Sequence, residues 1–94
     1  EVRSAINLKY DKEDISKLIK EGLIISSYDR SKEPRKVKNK EGSSIIWGIK
    51  MAIEKSEKQP DVIYHKGDFG KEAMTIVFAK TPSLVIKKIL KLFY

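Results

Sequence analysis

The stretch from Asp61 to Phe78, DVIYHKGDFGKEAMTIVF, holds two short apolar runs on either side of a turn with two glycines. The runs VIY and MTIVF are rich in β-branched and aromatic residues, which predicts two strands. Gly67 and Gly70 can take backbone angles that other residues avoid. Backbone amides beside Lys71 in such a turn form a concavity that suits phosphate. A plain hairpin turn with solvated charges is the alternative.

Strands and helices alternate along the rest of the chain. In order, the predicted elements are a strand over 2–10, a helix from Asp11 to Gly22, a strand over 23–28, a charged loop over 31–42, a helix from Ser43 or Ser44 to Pro60, the two strands just described, and a helix that begins at Thr81-Pro82. The order β-α-β-loop-α-β-β-α predicts a three-layer α/β/α fold with a mixed sheet, antiparallel at its last pair. The first two strands are expected to be parallel neighbours.

The two later helices carry apolar residues at helical spacing, which predicts one buried stripe on each. These stripes are Ile45, Ile46, Ile49, Ala52 and Ile53 on the first of them, and Val85, Ile86, Ile89, Leu90 and Phe93 on the second.

Composition limits the partners of the protein. The 94 residues include 20 basic and 13 acidic side chains, giving a net charge of +7, and no cysteine. Positive charge favours an anionic partner, and a chain without cysteine fits a reducing, cytoplasmic compartment. No apolar run is long enough for a membrane span. Basic residues do not interleave with aromatic ones, so nucleic-acid binding by this segment is not expected.

Several side chains outside the glycine turn are candidates for ligand contacts. Asp29 and Arg30 follow the second strand, where ligands of open α/β sheets bind, and Arg30 can fork onto a phosphate; an Asp–Arg pair that braces the loop is the alternative. Asn7, an amide within the first strand, is either a ligand contact or a surface amide. Trp47 lies off its helix stripe, so it either stacks on a heteroaromatic ring or covers a neighbouring element.

Two further features are less specific. The basic residues of the charged loop, Arg35, Lys36, Lys38 and Lys40, either gather over an anion or are simply solvated. His65 is the one histidine in the chain, and without a second histidine or a cysteine it is a poor metal ligand. Nothing at short spacing marks it as a general base.

The run from Pro60 to Met74, PDVIYHKGDFGKEAM, resembles the C-terminal signature of ThiN-type thiamine-phosphate synthase domains. Three further pieces agree in order: VRSAINLKY over 2–10, YDR over 28–30 with the Glu33-Pro34 pair, and IWG over 46–48. The most specific part is GDxGKE over 67–72. The resemblance covers essentially the whole chain.

The resemblance implies a transferase that joins hydroxymethylpyrimidine pyrophosphate to thiazole phosphate, giving thiamine phosphate and pyrophosphate. It also implies an aldolase-like α/β/α sandwich, found in archaea and often fused behind a hydroxymethylpyrimidine kinase domain. Because the chain begins at Glu1 and the family domain is longer, we expect residues 1–94 to be the C-terminal half of such a domain, incomplete and by itself inactive. The alternative function is a sensor of thiamine phosphates in a transcriptional regulator.

The resemblance also sets expectations for the site. Catalytic residues are expected upstream of this segment, and His65 and Ala73 stand where the family usually has an acid and a proline. Substrate and phosphate contacts are expected from Asn7, Asp29, Arg30, Trp47, Gly67, Asp68, Gly70, Lys71 and Glu72. Asp68 or Glu72 can orient Mg²⁺, and no organic cofactor is expected. The expected partners are the phosphorylated pyrimidine and thiazole substrates, the remainder of the chain and, across uncovered sheet edges, a second copy.

Overall fold

A computed structural model describes residues 2–35, 43–68 and 70–93. Its elements, in chain order, are β1 (Ser4–Lys9), α1 (Lys12–Lys20), β2 (Ile25–Ser27), a 3₁₀ helix (Arg30–Lys32), α2 (Ser43–Lys55), β3 (Val62–His65), β4 (Met74–Ala79) and α3 (Pro82–Leu90). The order predicted from the sequence is confirmed. The predicted cap at Ser43 or Ser44, and the loop residues Lys36, Lys38 and Lys40, lie outside the described side chains.

The four strands form one mixed sheet in the order β1-β4-β3-β2. β2 and β3 are parallel, whereas β4 is antiparallel to both β3 and β1. The antiparallel last pair is therefore confirmed, but the expectation that β1 and β2 are neighbours is wrong, since they form the two edges. β4 offers β1 a ladder of six residue pairs, from Ser4 with Ala79 to Lys9 with Met74. β2 has only three residues to pair, so the longer ladder satisfies more backbone groups.

Helices cover both faces of the sheet, which confirms the three layers. Side chains of α1 and α3 pack on one face, in a core formed by Ile15, Leu18, Val62, Val77, Ala79 and Val85. On the other face, α2 packs over Tyr28, Ile63, Ile76 and Phe78 through Ala52. Successive residues of β3 and β4 alternate between the two cores, as the pleat of a strand requires.

Capping residues fix where the helices begin and end. The Asp11 carboxylate accepts from the amides of Glu13 and Asp14, at 2.8 and 3.2 Å, and starts α1. Gly22, at φ +88°, follows its end. The Thr81 hydroxyl accepts from the Leu84 amide at 3.2 Å and starts α3. These starts and stops agree with the sequence prediction.

The predicted stripes of α2 and α3 are correct only in part. Ala52 and Val85 are buried, but Ile46 is 63% exposed and Phe93 is 71% exposed. Ile45, Ile53, Ile86 and Leu90 are exposed as well. These outer apolar residues of the two stripes have no layer above them in the described part of the chain. No helix in that part is both long and apolar enough to cross a membrane.

Candidate functional site

Three cavities open at one end of the sheet, where β1, β2 and β3 end and β4 begins. The main cavity, of 760 Å³, is lined among others by Asn7, Lys9, Arg30, His65 and Glu72. The β2 cavity, of 310 Å³, is lined among others by Asp29, Arg30, Lys55, Lys66 and Gly67. The Trp47 cavity, of 420 Å³, is lined among others by Tyr28, Asp29, Lys32, Trp47 and Met51. Arg30 lines the first two of these cavities, so they share one cation.

Arg30 stands at the start of the 3₁₀ helix, three residues after the end of β2. The Asp29 carboxylate caps that helix by accepting from the Ser31 amide, at 2.9 Å, and from the Ser31 hydroxyl. These two hydrogen bonds, the side-chain one first, lower the pKa of Asp29. The carboxylate is therefore engaged with Ser31 and leaves the Arg30 guanidinium facing the cavities. Arg30 Nε is buried and has no hydrogen-bond partner among the described residues.

His65, which the sequence did not mark as a metal ligand or a general base, lines the main cavity. It ends β3, is 1% exposed, and its Nδ1 accepts from the Gly67 amide at 3.1 Å. Its Nε2 lies 3.4 Å from Arg30 Nη1. Burial, and then the Arg30 charge, lower the pKa of His65. The signal available in the sequence was its place at the end of a strand, two residues before a glycine.

Three backbone amides of the glycine turn have hydrogen-bond partners inside the protein. The Asp68 amide donates to the Lys71 carbonyl at 3.1 Å, and the Lys71 amide donates to the Asp68 carbonyl at 2.8 Å. The Gly67 amide is taken up by His65. These three amides therefore already have partners inside the protein, and the expectation that the turn grips a phosphate through its backbone stays a prediction. Both turn glycines do have positive φ, at +86° for Gly67 and +72° for Gly70.

Most of the predicted site residues are distributed over the three cavities, and three of them line none. Asn7, Arg30 and Glu72 meet in the main cavity. Gly67 joins Asp29 and Arg30 in the β2 cavity, and Trp47 shares the third cavity with Asp29. Asp68, Gly70 and Lys71 line none of these three cavities, so a contact between the Lys71 side chain and a ligand stays a prediction.

The Tyr28 ring contacts the Trp47 ring and lies against the backbone of Gly48. The rings of Tyr28 and Trp47 meet edge to face, with centroids 5.9 Å apart at 85°. A Cβ placed on Gly48 would lie 2.2 Å from the Tyr28 ring, so only glycine allows this approach. Trp47 thus covers a neighbouring element, one of the two alternatives raised by the sequence, and it also lines a cavity.

Unpartnered polar groups cluster behind Arg30. The Tyr28 hydroxyl and both Glu33 carboxylate oxygens are buried without a hydrogen-bond partner among the described residues. Burial raises the pKa of Tyr28, with a smaller lowering effect from Arg30 and a raising effect from Glu33. The three side chains therefore lie close enough to act on one another. Buried polar groups without partners are rare in folded proteins, and a ligand is one way to satisfy them.

A metal would depend on the substrate for part of its coordination. Within the described residues, no group of three or more histidine and acidic side chains is arranged to hold a metal ion. Mg²⁺ is commonly bound through one or two carboxylates together with substrate phosphates and water. Glu72 is the carboxylate that lines the main cavity beside Arg30, so the residues present fit such a shared site.

Comparison with known proteins gives one consistent result. Residues 1–91 match the family model described as thiamine-phosphate synthase ThiN. The chain is 52% identical over 75 residues to thiamine-phosphate synthase ThiN from Methanothermobacter thermautotrophicus, covering 80% of this chain and 40% of that protein. It is 40% identical over 89 residues to the bifunctional thiamine biosynthesis protein ThiDN from Methanocaldococcus jannaschii, covering 95% of this chain and 20% of that protein.

A solved structure agrees over nearly the whole chain. The crystal structure of the C-terminal domain of phosphomethylpyrimidine kinase superposes with a TM-score of 0.89 and 46% identity. The match covers 97% of this chain and 52% of that one. The chain therefore spans about half the length of that structure and less than half of the two relatives.

Proposed function

Because this chain belongs to the ThiN thiamine-phosphate synthase family, we propose that it forms part of a thiamine-phosphate synthase. The reaction is the transfer of a hydroxymethylpyrimidine group from its pyrophosphate to thiazole phosphate, which gives thiamine phosphate and releases pyrophosphate. Residues 1–94 are proposed as the C-terminal half of the catalytic domain. The remainder of the domain supplies further catalytic groups.

The observation that carries this proposal is the position of Arg30. Its guanidinium lines two cavities at the end of the parallel strands and keeps a buried Nε without a partner among the described residues. A guanidinium can donate two parallel hydrogen bonds to phosphate oxygens. Lys9, Lys55 and Lys66 line the same cavities and add positive charge.

The chemistry needs charge neutralisation and exclusion of water. When the bond between the pyrimidine methylene carbon and the pyrophosphate oxygen breaks, the pyrophosphate leaves with the electron pair, and the lone pair of the thiazole nitrogen forms the new bond to that carbon. Arg30 stabilises that developing charge. The Trp47 cavity adjoins the β2 cavity through Asp29, and Trp47 is proposed to shield the reacting carbon from water there. Glu72 would hold in part a Mg²⁺ ion bound together with the pyrophosphate group, and such an ion would add to the neutralisation of its charge.

The organisation of the full chain is also a proposal. One relative is named as a bifunctional protein and one similar structure is part of a phosphomethylpyrimidine kinase. We therefore propose a kinase domain in the same chain, working in the cytoplasm on phosphorylated pyrimidine and thiazole substrates.

The test is turnover by the full chain with Arg30→Met. Release of pyrophosphate from the two substrates is measured, and kcat/KM is expected to fall by roughly a hundredfold, as when one donor to a developing charge is removed. Lys80→Met is the matched control, since it removes the same charge at an exposed site beyond the other end of β4. Equal activity of Arg30→Met and Lys80→Met would contradict the proposed role of Arg30.

Measurements on the same full chain distinguish a thiamine-phosphate sensor from a synthase. A sensor binds thiamine phosphate without turnover. At ligand a hundredfold above Kd, binding stabilises the folded state by about 2.7 kcal/mol. Thermal stabilisation by thiamine phosphate with no pyrophosphate release would exclude the synthase, and the absence of both would contradict either function.

A further inference from the structure

The His65 ring faces a hydrogen-bond donor on each side. The Gly67 amide points to Nδ1 at 3.1 Å, and Arg30 Nη1 lies 3.4 Å from Nε2. A neutral imidazole has one N–H and one acceptor nitrogen. Both contacts therefore cannot be hydrogen bonds at the same time, and one ring nitrogen must carry a hydrogen that faces a donor.

The backbone decides which nitrogen accepts. The Gly67 contact is the shorter one, and the turn holds its amide in place through the paired amides of Asp68 and Lys71. Arg30 is a flexible side chain that can turn toward another acceptor. Nδ1 is thus the acceptor, and Nε2 carries the hydrogen.

The doubly protonated ring is disfavoured. A proton on Nδ1 would break the bond from Gly67 and would place an imidazolium against the Arg30 guanidinium. The lowered pKa of His65, caused first by burial and then by Arg30, agrees with a neutral ring at neutral pH.

Two donors then meet at the wall of the main cavity. His65 Nε2–H and Arg30 both line that cavity, and neither has another hydrogen-bond partner among the described residues. Two N–H groups 3.4 Å apart can both reach one oxygen at about 2.9 Å, the usual hydrogen-bond length. An anionic oxygen between His65 Nε2–H and the Arg30 guanidinium would accept a hydrogen bond from each of them.

We propose that His65 is a ligand-binding residue which, as the Nε2–H tautomer fixed by the Gly67 amide, shares one phosphoryl oxygen with Arg30. The ligand class is a phosphate or diphosphate group. The proposal deepens the proposed function and rests on it, since it assigns a second donor to the same anion. It also gives the glycine turn a role, since the Gly67 amide selects the tautomer of His65 and does not itself contact the phosphate.

Two variants of His65 test the roles of its two ring nitrogens separately. His65→Asn keeps an acceptor near the Nδ1 position for the Gly67 amide and removes the Nε2 donor. His65→Gln keeps an N–H near the Nε2 position and removes the acceptor. In the full chain, the Kd of inorganic pyrophosphate, measured by calorimetry, is expected to rise about tenfold or more in His65→Asn. It is expected to rise much less in His65→Gln. Inorganic phosphate is titrated alongside, to distinguish a single phosphate from a diphosphate as the preferred ligand.

The tautomer is measured independently of binding. The ¹⁵N–¹H correlations of the ring at neutral pH are expected to show hydrogen on Nε2 and none on Nδ1. Hydrogen on Nδ1, or on both nitrogens, would overturn the inference even if a variant fails to fold. Equal Kd values in wild type and His65→Asn, or equal losses in the two variants, would overturn it as well.

Failure of the proposed function gives a different pattern. If Arg30→Met loses pyrophosphate affinity and His65→Asn does not, only the role of His65 falls. If wild type itself neither binds pyrophosphate nor turns over substrate, the proposed function falls and the shared anion site falls with it.

Discussion

Gly48 brings the backbone of α2 directly against the Tyr28 ring. A Cβ at this position would lie 2.2 Å from that ring, far inside van der Waals contact. Gly48→Ala should therefore push the ring out of its place beside Trp47 and lower the free energy of unfolding by about 1–3 kcal/mol, as overpacking does. Urea denaturation measures the change.

The control is the same Gly48→Ala substitution in a protein that lacks the Tyr28 ring. In a Tyr28→Ala protein the ring is gone, and Gly48→Ala should then stabilise by up to about 1 kcal/mol through helix propensity. A loss of stability that is the same in both backgrounds would show that the ring is not the cause.

His65 makes stability depend on pH. Its pKa in the folded protein lies below the ordinary value of 6.5, because burial and Arg30 disfavour the imidazolium. The unfolded chain therefore binds a proton that the folded chain does not. The contribution of the buried neutral His65 ring to the free energy of unfolding is complete above pH 6.5. It is lost as the pH falls from 6.5 through the pKa of His65 in the folded protein.

The measurement is the free energy of unfolding in urea between pH 7 and pH 5. Wild type should lose stability over this interval more steeply than His65→Gln, which has no titrating ring. The tilted Tyr28 ring, 5.1 Å from His65, stays neutral throughout, since burial raises its pKa. Equal slopes in the two proteins would contradict this account of the histidine.

At the scale of elements, Asp61 joins β2, β3 and α3. Its carboxylate accepts from the Ile24 amide at 2.7 Å and pairs with Lys88 Nζ at 2.8 Å. Lys88 also donates to the Phe78 carbonyl at the end of β4. The place of Asp61 before its strand was visible in the sequence, but its partners were not.

Asp61→Asn should lower the free energy of unfolding by about 1.5–3 kcal/mol, the usual range for hydrogen bonds to a charged group. Glu57→Gln, at an exposed position between α2 and β3, is the matched control and should change little. A double-mutant cycle with Lys88→Met measures the coupling of the pair. Additive effects of the two changes would contradict a direct interaction.

The glycine turn is an element whose shape sets the His65 contact. Gly67→Ala meets two penalties, a φ of +86° and a Cβ only 2.7 Å from the Lys71 carbonyl oxygen. Gly70→Ala is its control, since φ is +72° but the Cβ would enter open space. Left-handed backbone costs about 1–2 kcal/mol for a residue other than glycine.

Gly67→Ala should therefore lose more stability than Gly70→Ala, and it alone should change the ¹⁵N signals of the His65 ring. The two free energies of unfolding and the ring spectrum are measured side by side. Identical behaviour of the two variants would mean that the close approach to Lys71 is not needed.

At the scale of the whole molecule, the net charge of +7 should draw anions to the site. Raising the salt concentration from about 0.1 M to about 1 M shortens the Debye length from about 10 Å to about 3 Å. The Kd of inorganic pyrophosphate should rise severalfold over this range. The Kd of uncharged hydroxymethylpyrimidine should change much less.

The Kd of inorganic pyrophosphate should rise equally with the concentration of a chloride or of an acetate salt, since screening does not depend on the identity of the anion. A Kd that is independent of salt would mean that short-range contacts at Arg30 carry the affinity alone.

Local chemistry explains what could be predicted from the sequence. Asp11 and Thr81 cap helices with their own side chains, Gly22 ends α1 by its own backbone angle, and the runs on either side of Gly67 become strands. Each of these outcomes depends on residues a few positions apart, so it can be read along the chain. Arg30 was also found in this way, because it directly follows a strand.

Tertiary structure decided which strands pair and which atoms meet. β4 lies between β1 and β3 because of a ladder between residues some 70 positions apart, and no local pattern records it. The same long-range packing left the ends of the stripes on α2 and α3 uncovered. It brought Arg30 to His65 across 35 positions. The sequence by itself determined the elements and the cation, since these follow from neighbours. Only the fold decided which strands pair and which groups meet Arg30 and Asp61, because those partners come from distant parts of the chain.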